Sequence, residues 1–428
     1  MMNANPLDVI VIGAGHAGLS ASYFLKQHQL RHVVLERGTI GESWASQRWD
    51  SFRMNTANKW NTLPGWEPGA TESESFGTAP SLVASMAKYV QMHELPVLTN
   101  ATVSSLDKAP ESDLFRVKVQ QNGTTKIYLS RQVIVASGAQ SQKQPALLAS
   151  KIDANIKQLH SSEYRNAADL PQGNVLIVGS AQSGCQIAED LVQAGRKVFL
   201  STSKVPRCPR YYRGKDIMDW LLLTGFFNAR PEDITDSAQL HLRTPLLKGN
   251  DHGRKTLSLQ SLARMGVTLL GKLQDVKGDS ASFTTDTLAH VQFADEFSKR
   301  VKGFIDGFIA ENKLEASSAE LDSDDEPDDL LNFSAVPSSI QLKKEGISTI
   351  IWATGFRLDM AYMQLPVFDD SGNPVHEQGK SLVEGLYFLG LPWLRNRKSS
   401  LLMGIKEDAQ FIIDCVHKFS QKRVRAVL

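Results

Sequence analysis

Short, unbroken apolar runs punctuate this chain, and each stops at small residues. Val9 to Ile12 is apolar throughout, the pattern of a strand buried on both faces. It ends at Gly13, with Gly15 and Gly18 following in GxGxxG spacing, before a helix-period segment carrying Leu19, Tyr23 and Phe24. Val175 to Val178 repeats the arrangement, leading through Gly179-Ser180-Ala181-Gln182-Ser183-Gly184 into a helix that runs past Leu191. Val133 to Val135 exits at Ala136-Ser137-Gly138, Thr349 to Trp352 at Ala353-Thr354-Gly355, and Leu386 to Leu389 at Gly390. Between them the pattern predicts a helix from Pro80 to Met92, a strand from Val97 to Leu106, and a hairpin turning at Asn122-Gly123. From His290 to Leu314, helical spacing puts Phe293, Phe297, Val301, Phe304, Ile305 and Phe308 on one face, expected to pack in the core or over a cleft.

The chemistry lies in the turns. Gly13 permits a tight turn, Gly15 lets the backbone approach a pyrophosphate, and Gly18 lets helix and strand pack closely. The free N–H groups of the helix start then face the phosphates. A second strand, His32 to Leu35, ends at Glu36, where a carboxylate accepts a ribose hydroxyl. In the later copy Ala181 replaces the middle glycine, and the position corresponding to Glu36 is Thr202. Ser201, Thr202, Ser203, Lys204, Arg207 and Arg210 stand there instead, hydroxyls and cations that suit a 2′-phosphate a carboxylate would repel. The first turn therefore fits FAD and the second NADPH. The expected fold class is α/β, with two Rossmann-like dinucleotide-binding domains.

Charge narrows the partners. Across 428 residues, 47 basic side chains nearly balance 46 acidic ones, leaving no overall field for nucleic acid or an anionic membrane. The longest apolar stretch, Trp220 to Phe227, is too short to span a bilayer, and a first strand beginning within a few residues of the start gives no expectation of a secretory signal. Three cysteines without CxxC spacing fit a cytoplasmic protein with no thiol relay and no metal site. Residues 320–329 read as an acidic solvated loop, and the basic cluster Lys248, Arg254 and Lys255 carries no evident chemistry.

Taken together, these motifs resemble the class B flavoprotein monooxygenases: flavin-containing monooxygenases, YUCCA-type enzymes and Baeyer–Villiger monooxygenases. Gly41 and Trp44 resemble the GGxW element, with Glu42 at its second glycine. Met54 to Lys59 is similar to the TNxSK segment, whose Asn lies beside the flavin's reactive edge. Gly179 to Gly184 resembles GxGxSG, and Ile351 to Phe356 the ATG element. His160 to Arg165 matches the end of FxGxxxHSxxYR, with Ala154 and Ile156 at its Phe and Gly positions.

The resemblance implies an FAD domain from 1–168 and 335–428, with an NADPH domain, 169–334, inserted between. It implies cofactor contacts at Gly13, Gly15, His16, Ala17, Gly18, Glu36, Arg37, Ser43, Trp44, Arg48, Asn55, Thr56, Val103, Ser137, Gly138, Ala353, Thr354, Gly355 and Gly390. Contacts on the second turn are Gly179, Ser180, Ala181, Gln182, Ser183, Gly184, Ser203, Lys204 and Arg210. Asn55 is the expected catalytic residue; Trp393 and Trp60, with Trp49, would wall the substrate, and Lys398 would meet an acidic one. The implied activity is NADPH-dependent monooxygenation of a small organic substrate by dioxygen through a flavin carbon-4a (hydro)peroxide, as N- or S-oxygenation or YUCCA-like oxidation. A flavin reductase or oxidase releasing hydrogen peroxide, and a non-enzymatic NADPH-binding redox sensor, share the same motifs. The Phe-rich segment offers a homodimer face.

Overall fold

The structure is a computed structural model, which describes residues 5–69, 71–110, 112–241, 244–247, 255–328, 333 and 336–427. Strand Leu7–Ile12 lies at the centre of the larger sheet, parallel to His32–Leu35 on one side and Thr124–Val135 on the other. Its neighbours on both flanks explain the unbroken apolar run: Val9, Ile10, Val11 and Ile12 are all buried, each contributing about 1.5–3 kcal/mol. The sheet continues through Leu386–Phe388 beyond one flank and Val97–Leu98 beyond the other. An antiparallel extension, Ala101–Lys108 with Phe115–Gln121, branches from it. Its hairpin turns at Asn122 (φ 50°) and Gly123 (φ 74°), the left-handed pair that a two-residue turn requires. Helix Ala79–Met92 begins behind a Thr78–Ser81 capping box with proline in its first turn.

The second sheet has the strand order 268–270, 198–201, 174–178, 347–352, 157–160, all parallel. This moves the expected boundaries. Strands 157–160 and 347–352 lie on the FAD side of limits at 168 and 335, yet both join the second sheet, 347–352 flanking Asn174–Val178 and 157–160 flanking 347–352. The two crossings between units, Gln142–Lys143 and Phe356–Arg357, pair with each other.

Helix Thr287–Glu311 confirms the segment and corrects its face. Of the expected stripe Val301 and Ile305 are buried, Phe293, Phe297 and Phe308 half-buried and Phe304 exposed, while Thr287, His290, Val291, Ala294 and Ser298 complete the buried face. Small residues face inward because a buried ion network lies against them: the Ser298 hydroxyl donates to Asp325, 2.7 Å away. Asp325 is held by Arg207 (2.9 Å) and Lys302 (2.9 Å). The acidic stretch around it is docked through Asp322, Asp324, Asp325, Glu326 and Asp328, while Glu320 and Leu321 stay exposed; Asp329 lies outside the described residues, as do Lys248 and Arg254.

Candidate active site

Each glycine of the first turn answers a different steric demand. Gly13 has φ +106°, and a Cβ there would lie 2.5 Å from the Ala136 carbonyl oxygen; one on Gly18 would lie 1.8 Å from that of Gly13. At Gly15 a Cβ would meet nothing within 4 Å, so the turn is open on that side. Helix His16–Gln27 starts there without a side-chain cap, aiming its first N–H groups into the open space. His16 is buried in the turn with both ring nitrogens unpartnered among the described residues, and burial pulls its pKa down to about 4. Gly390 presses against Ala17 from the other end of the chain.

Glu36 accepts hydrogen bonds from the N–H groups of Ala14 (2.8 Å) and Gly38 (3.0 Å), which fixes its carboxylate beside the turn with lone pairs to spare. Ala101, two residues before Val103, donates to the Glu36 carbonyl, and Arg37 is exposed next to it. The Gly41 N–H bonds the Ala14 carbonyl and so brings up the short helix with Ser43 and Trp44. Arg48 stacks 4.6 Å over Trp44, and desolvation lowers its pKa to about 10. Ser137 reaches the Tyr362 hydroxyl at 3.4 Å, and Gly138 follows at φ +78°. An open face at Gly15, uncapped helix N–H groups and a fixed carboxylate fit an adenine dinucleotide such as FAD.

The second turn repeats the first closely. A Cβ on Gly179 (φ +111°) would lie 2.5 Å from the Ala353 carbonyl oxygen, and one on Gly184 1.9 Å from that of Gly179. Helix Gln182–Gln193 again lacks a side-chain cap, with Ala181 at its start and Ser183 in its first turn. The Gln182 side chain turns aside to accept from the Leu247 N–H. Ala353 therefore backs the second turn, while Thr354 and Gly355 belong to the crossing: Thr354 donates to Gln144, and the Gly355 carbonyl accepts from Gln144 and meets His160.

At the exit of strand Val198–Ser201, Ser201 and Thr202 spend their hydroxyls on the carbonyls of Gly271 and Leu270. Ser180 accepts from the Ser203 N–H at 2.9 Å. The Ser203 hydroxyl has no partner among the described residues, and Lys204 is exposed beside it. Two cations depart from expectation. Arg207 is buried among Asp295, Asp325 and Gln260, and Arg210 is wholly buried against Asp216 and Phe76. Neither is available to a 2′-phosphate.

Arg210 instead reaches the loop between the two turns. Its Nη1 donates to the Asn55 carbonyl (2.8 Å), while Gln186 Nε2, on the second-turn helix, donates to Asn55 Oδ1 (3.3 Å). Thr56 and Asn61 close the loop on itself through bonds of 2.6 and 3.0 Å. Asn55 is thus positioned by two residues of the other unit. Sequence reasoning missed Gln186 and Asp190, which accepts from Tyr164 and Ser51 at 2.5 Å each. Their signal was polar spacing at i and i+4 on a helix otherwise apolar at Cys185, Ile187, Ala188 and Leu191. Arg165 completes the bracket by donating to the carbonyls of Ser46, Arg48 and Ser162.

The aromatic wall comes out differently. Trp49 is core, edge-on to Phe52. Trp60 is half-buried and bonds Asp219 (3.1 Å), and Trp393 is half-exposed at φ +57°. Lys398 is buried and neutralised by Glu407 at 2.6 Å, so it does not face a substrate. All three cysteines are free, no described group of side chains could hold a metal, and no described helix is long and apolar enough to cross a membrane.

Comparison with known proteins adds the family. A profile described as pyridine nucleotide-disulphide oxidoreductase matches residues 10–214. An uncharacterized CzcO-like oxidoreductase of Geobacillus kaustophilus (strain HTA426) is 30% identical over 412 residues, covering 95% of this chain and 97% of that protein. A probable indole-3-pyruvate monooxygenase of Arabidopsis thaliana, YUCCA10, is 29% identical over 213 residues, 49% of this chain and 54% of its own. A flavin-containing monooxygenase from Stenotrophomonas maltophilia superposes with a TM-score of 0.63 at 18% identity, covering 98% of this chain and 99% of the other. That likeness is one of fold.

Proposed function

The chain belongs to the class B flavin-containing monooxygenase family, and from that membership we propose that it oxygenates a small organic substrate at the loop carrying Asn55. It is a flavin-dependent oxidoreductase with FAD and NADPH as cofactors. We assign FAD to the first turn and NADPH to the second, the latter unit taking in strands 157–160 and 347–352. FAD, held by the first turn and Glu36, would supply the redox chemistry between NADPH and dioxygen.

What the chain contributes is placement. Gln186 orients the Asn55 amide by occupying its oxygen, which leaves the Nδ2 donors for the reacting edge of the cofactors. Arg210 fixes the backbone beneath. Ser203 and Lys204 recognise the 2′-phosphate with one hydroxyl and one charge. The observation that supports the reading best is the double anchorage of Asn55 from the NADPH unit, which ties dinucleotide binding to the geometry of the loop. The substrate reaction is N- or S-oxygenation or a YUCCA-like oxidation, in a cytoplasmic enzyme that forms a homodimer.

The test compares NADPH consumed, hydrogen peroxide released and oxygen incorporated from labelled dioxygen. Wild type should incorporate label into product. Asn55→Ala should still bind FAD and oxidise NADPH while releasing most of the electrons as peroxide. Peroxide release by wild type equal to its NADPH consumption, with every substrate panel, would make the enzyme an oxidase.

A further inference from the structure

Strands 198–201 and 268–270 run parallel and exit on one edge of the second sheet, and their hydrogen bonding continues beyond that edge. The N–H and the hydroxyl of Thr202 both donate to the Leu270 carbonyl, at 2.9 and 2.7 Å. The Ser201 hydroxyl donates to the Gly271 carbonyl and accepts from the Leu273 N–H, both at 3.0 Å. Thr284 holds the next residue: its hydroxyl accepts from the Lys272 N–H (2.7 Å), and its N–H donates to the Lys272 carbonyl (2.9 Å). This approach needs Gly271, where a Cβ would lie 1.8 Å from the Thr284 carbonyl oxygen. The backbone thus fixes Lys272 at the edge that carries Ser203 and Lys204, with its side chain exposed.

Neither Lys204 nor Lys272 has a carboxylate within ion-pair distance among the described residues. Both act on one group, His290, which is buried under this edge and meets the Thr202 hydroxyl at 2.9 Å. Burial lowers the His290 pKa, Asp286 opposes that, and the charges of Lys204 and Lys272 add to it. The acid on this edge, Asp286, is turned to the Thr284 hydroxyl and to His290 at 3.3 Å. A phosphate monoester carries about 1.5–2 negative charges at neutral pH. With Arg207 and Arg210 committed to buried carboxylates, Lys204 alone leaves such a group half neutralised. We propose that Lys272 is the second cation of the 2′-phosphate site, sharing the phosphate with Lys204 and the unpartnered Ser203 hydroxyl. The dinucleotide fingerprint reaches only to the end of its second strand, so it carries no expectation for a cation after the third. This rests on the reading above that the second turn takes NADPH, and it adds a residue that sets the preference over NADH.

The experiment titrates the oxidised, FAD-loaded protein with adenosine 2′,5′-bisphosphate and with adenosine 5′-monophosphate, by calorimetry at one fixed ionic strength. With FAD in the first turn, wild type should bind the bisphosphate about a hundredfold tighter than the monophosphate. Lys272→Gln should cut that preference about tenfold while leaving monophosphate affinity and the flavin spectrum unchanged. Lys272→Arg should keep it. Lys277→Gln removes an exposed charge farther along strand Leu273–Lys277 and should change the preference less than about twofold. An unchanged preference in Lys272→Gln overturns the proposal, as does an equal loss of both nucleotides, which would make the lysine a support for the fold or the adenine. An equal fall in Lys277→Gln also overturns it, reducing the effect to a general field. Failure of the NADPH reading shows separately and takes the proposal with it: wild type itself would bind the two nucleotides equally or bind neither.

Discussion

At the scale of single residues, the two outer glycines of the first turn are steric necessities and the middle one is a functional opening. Gly18→Ala drives a Cβ into the Gly13 carbonyl and should lower the thermal midpoint of the apoprotein. Gly15→Ala meets no protein atom, so it should leave the stability within about 0.5 kcal/mol of wild type while weakening FAD binding, measured by fluorescence titration. Equal effects on both properties would mean the open face is not where the pyrophosphate lies. Arg210→Met removes one half of a buried pair, leaves Asp216 stranded, and should cost about 3–5 kcal/mol in urea unfolding. The glycines were legible in the sequence because backbone sterics act within a few residues. Arg210 and Lys398 were misread because a cation's partner is chosen by the tertiary fold: Asp216 and Glu407 are near in sequence, but nothing local says the pairs are buried.

At the scale of elements, periodicity carried far. The buried strands, the Asn122-Gly123 hairpin and the helix behind Thr78 all follow from local pattern. The long helix 287–311 shows where pattern fails, since its most hydrophobic residues flank the face that is buried. That face is small because the Arg207–Asp325 network needs room, and its members come from three distant segments. Helix Gln182–Gln193 makes the opposite point, with polar positions that serve the loop across the interface. Gln186→Leu should retain FAD and NADPH binding yet raise the share of electrons released as hydrogen peroxide, read by a coupled peroxidase assay. An unchanged share would reduce the Gln186–Asn55 bond to packing.

At the scale of the whole molecule, two sheets each repeat a strand, a glycine turn and an uncapped helix, and one loop is held between them. Histidine burial adds a pH dependence. His16 is lowered to about 4, and His32, His160, His290 and His376 are lowered in the same sense by desolvation. The unfolded chain binds more protons between about pH 4 and 6.5, so stability should rise with pH across that window. His16 supplies at most about 3 kcal/mol of this. Asp408, raised to about 6 by burial, holds its proton longer in the folded state and opposes the trend over the same range. In apoprotein melts, His16→Gln should flatten the rise.

The claim beneath all of this is that one turn holds a flavin and the other a 2′-phosphorylated reductant that faces it. Anaerobic mixing of the FAD-loaded protein with NADPH or NADH, followed by bleaching of the flavin absorbance, tests it most directly. The account predicts complete bleaching by one equivalent of NADPH at a rate about tenfold or more above that with NADH. A protein that takes up no FAD, or a flavin reduced equally fast by the two nucleotides, would contradict it.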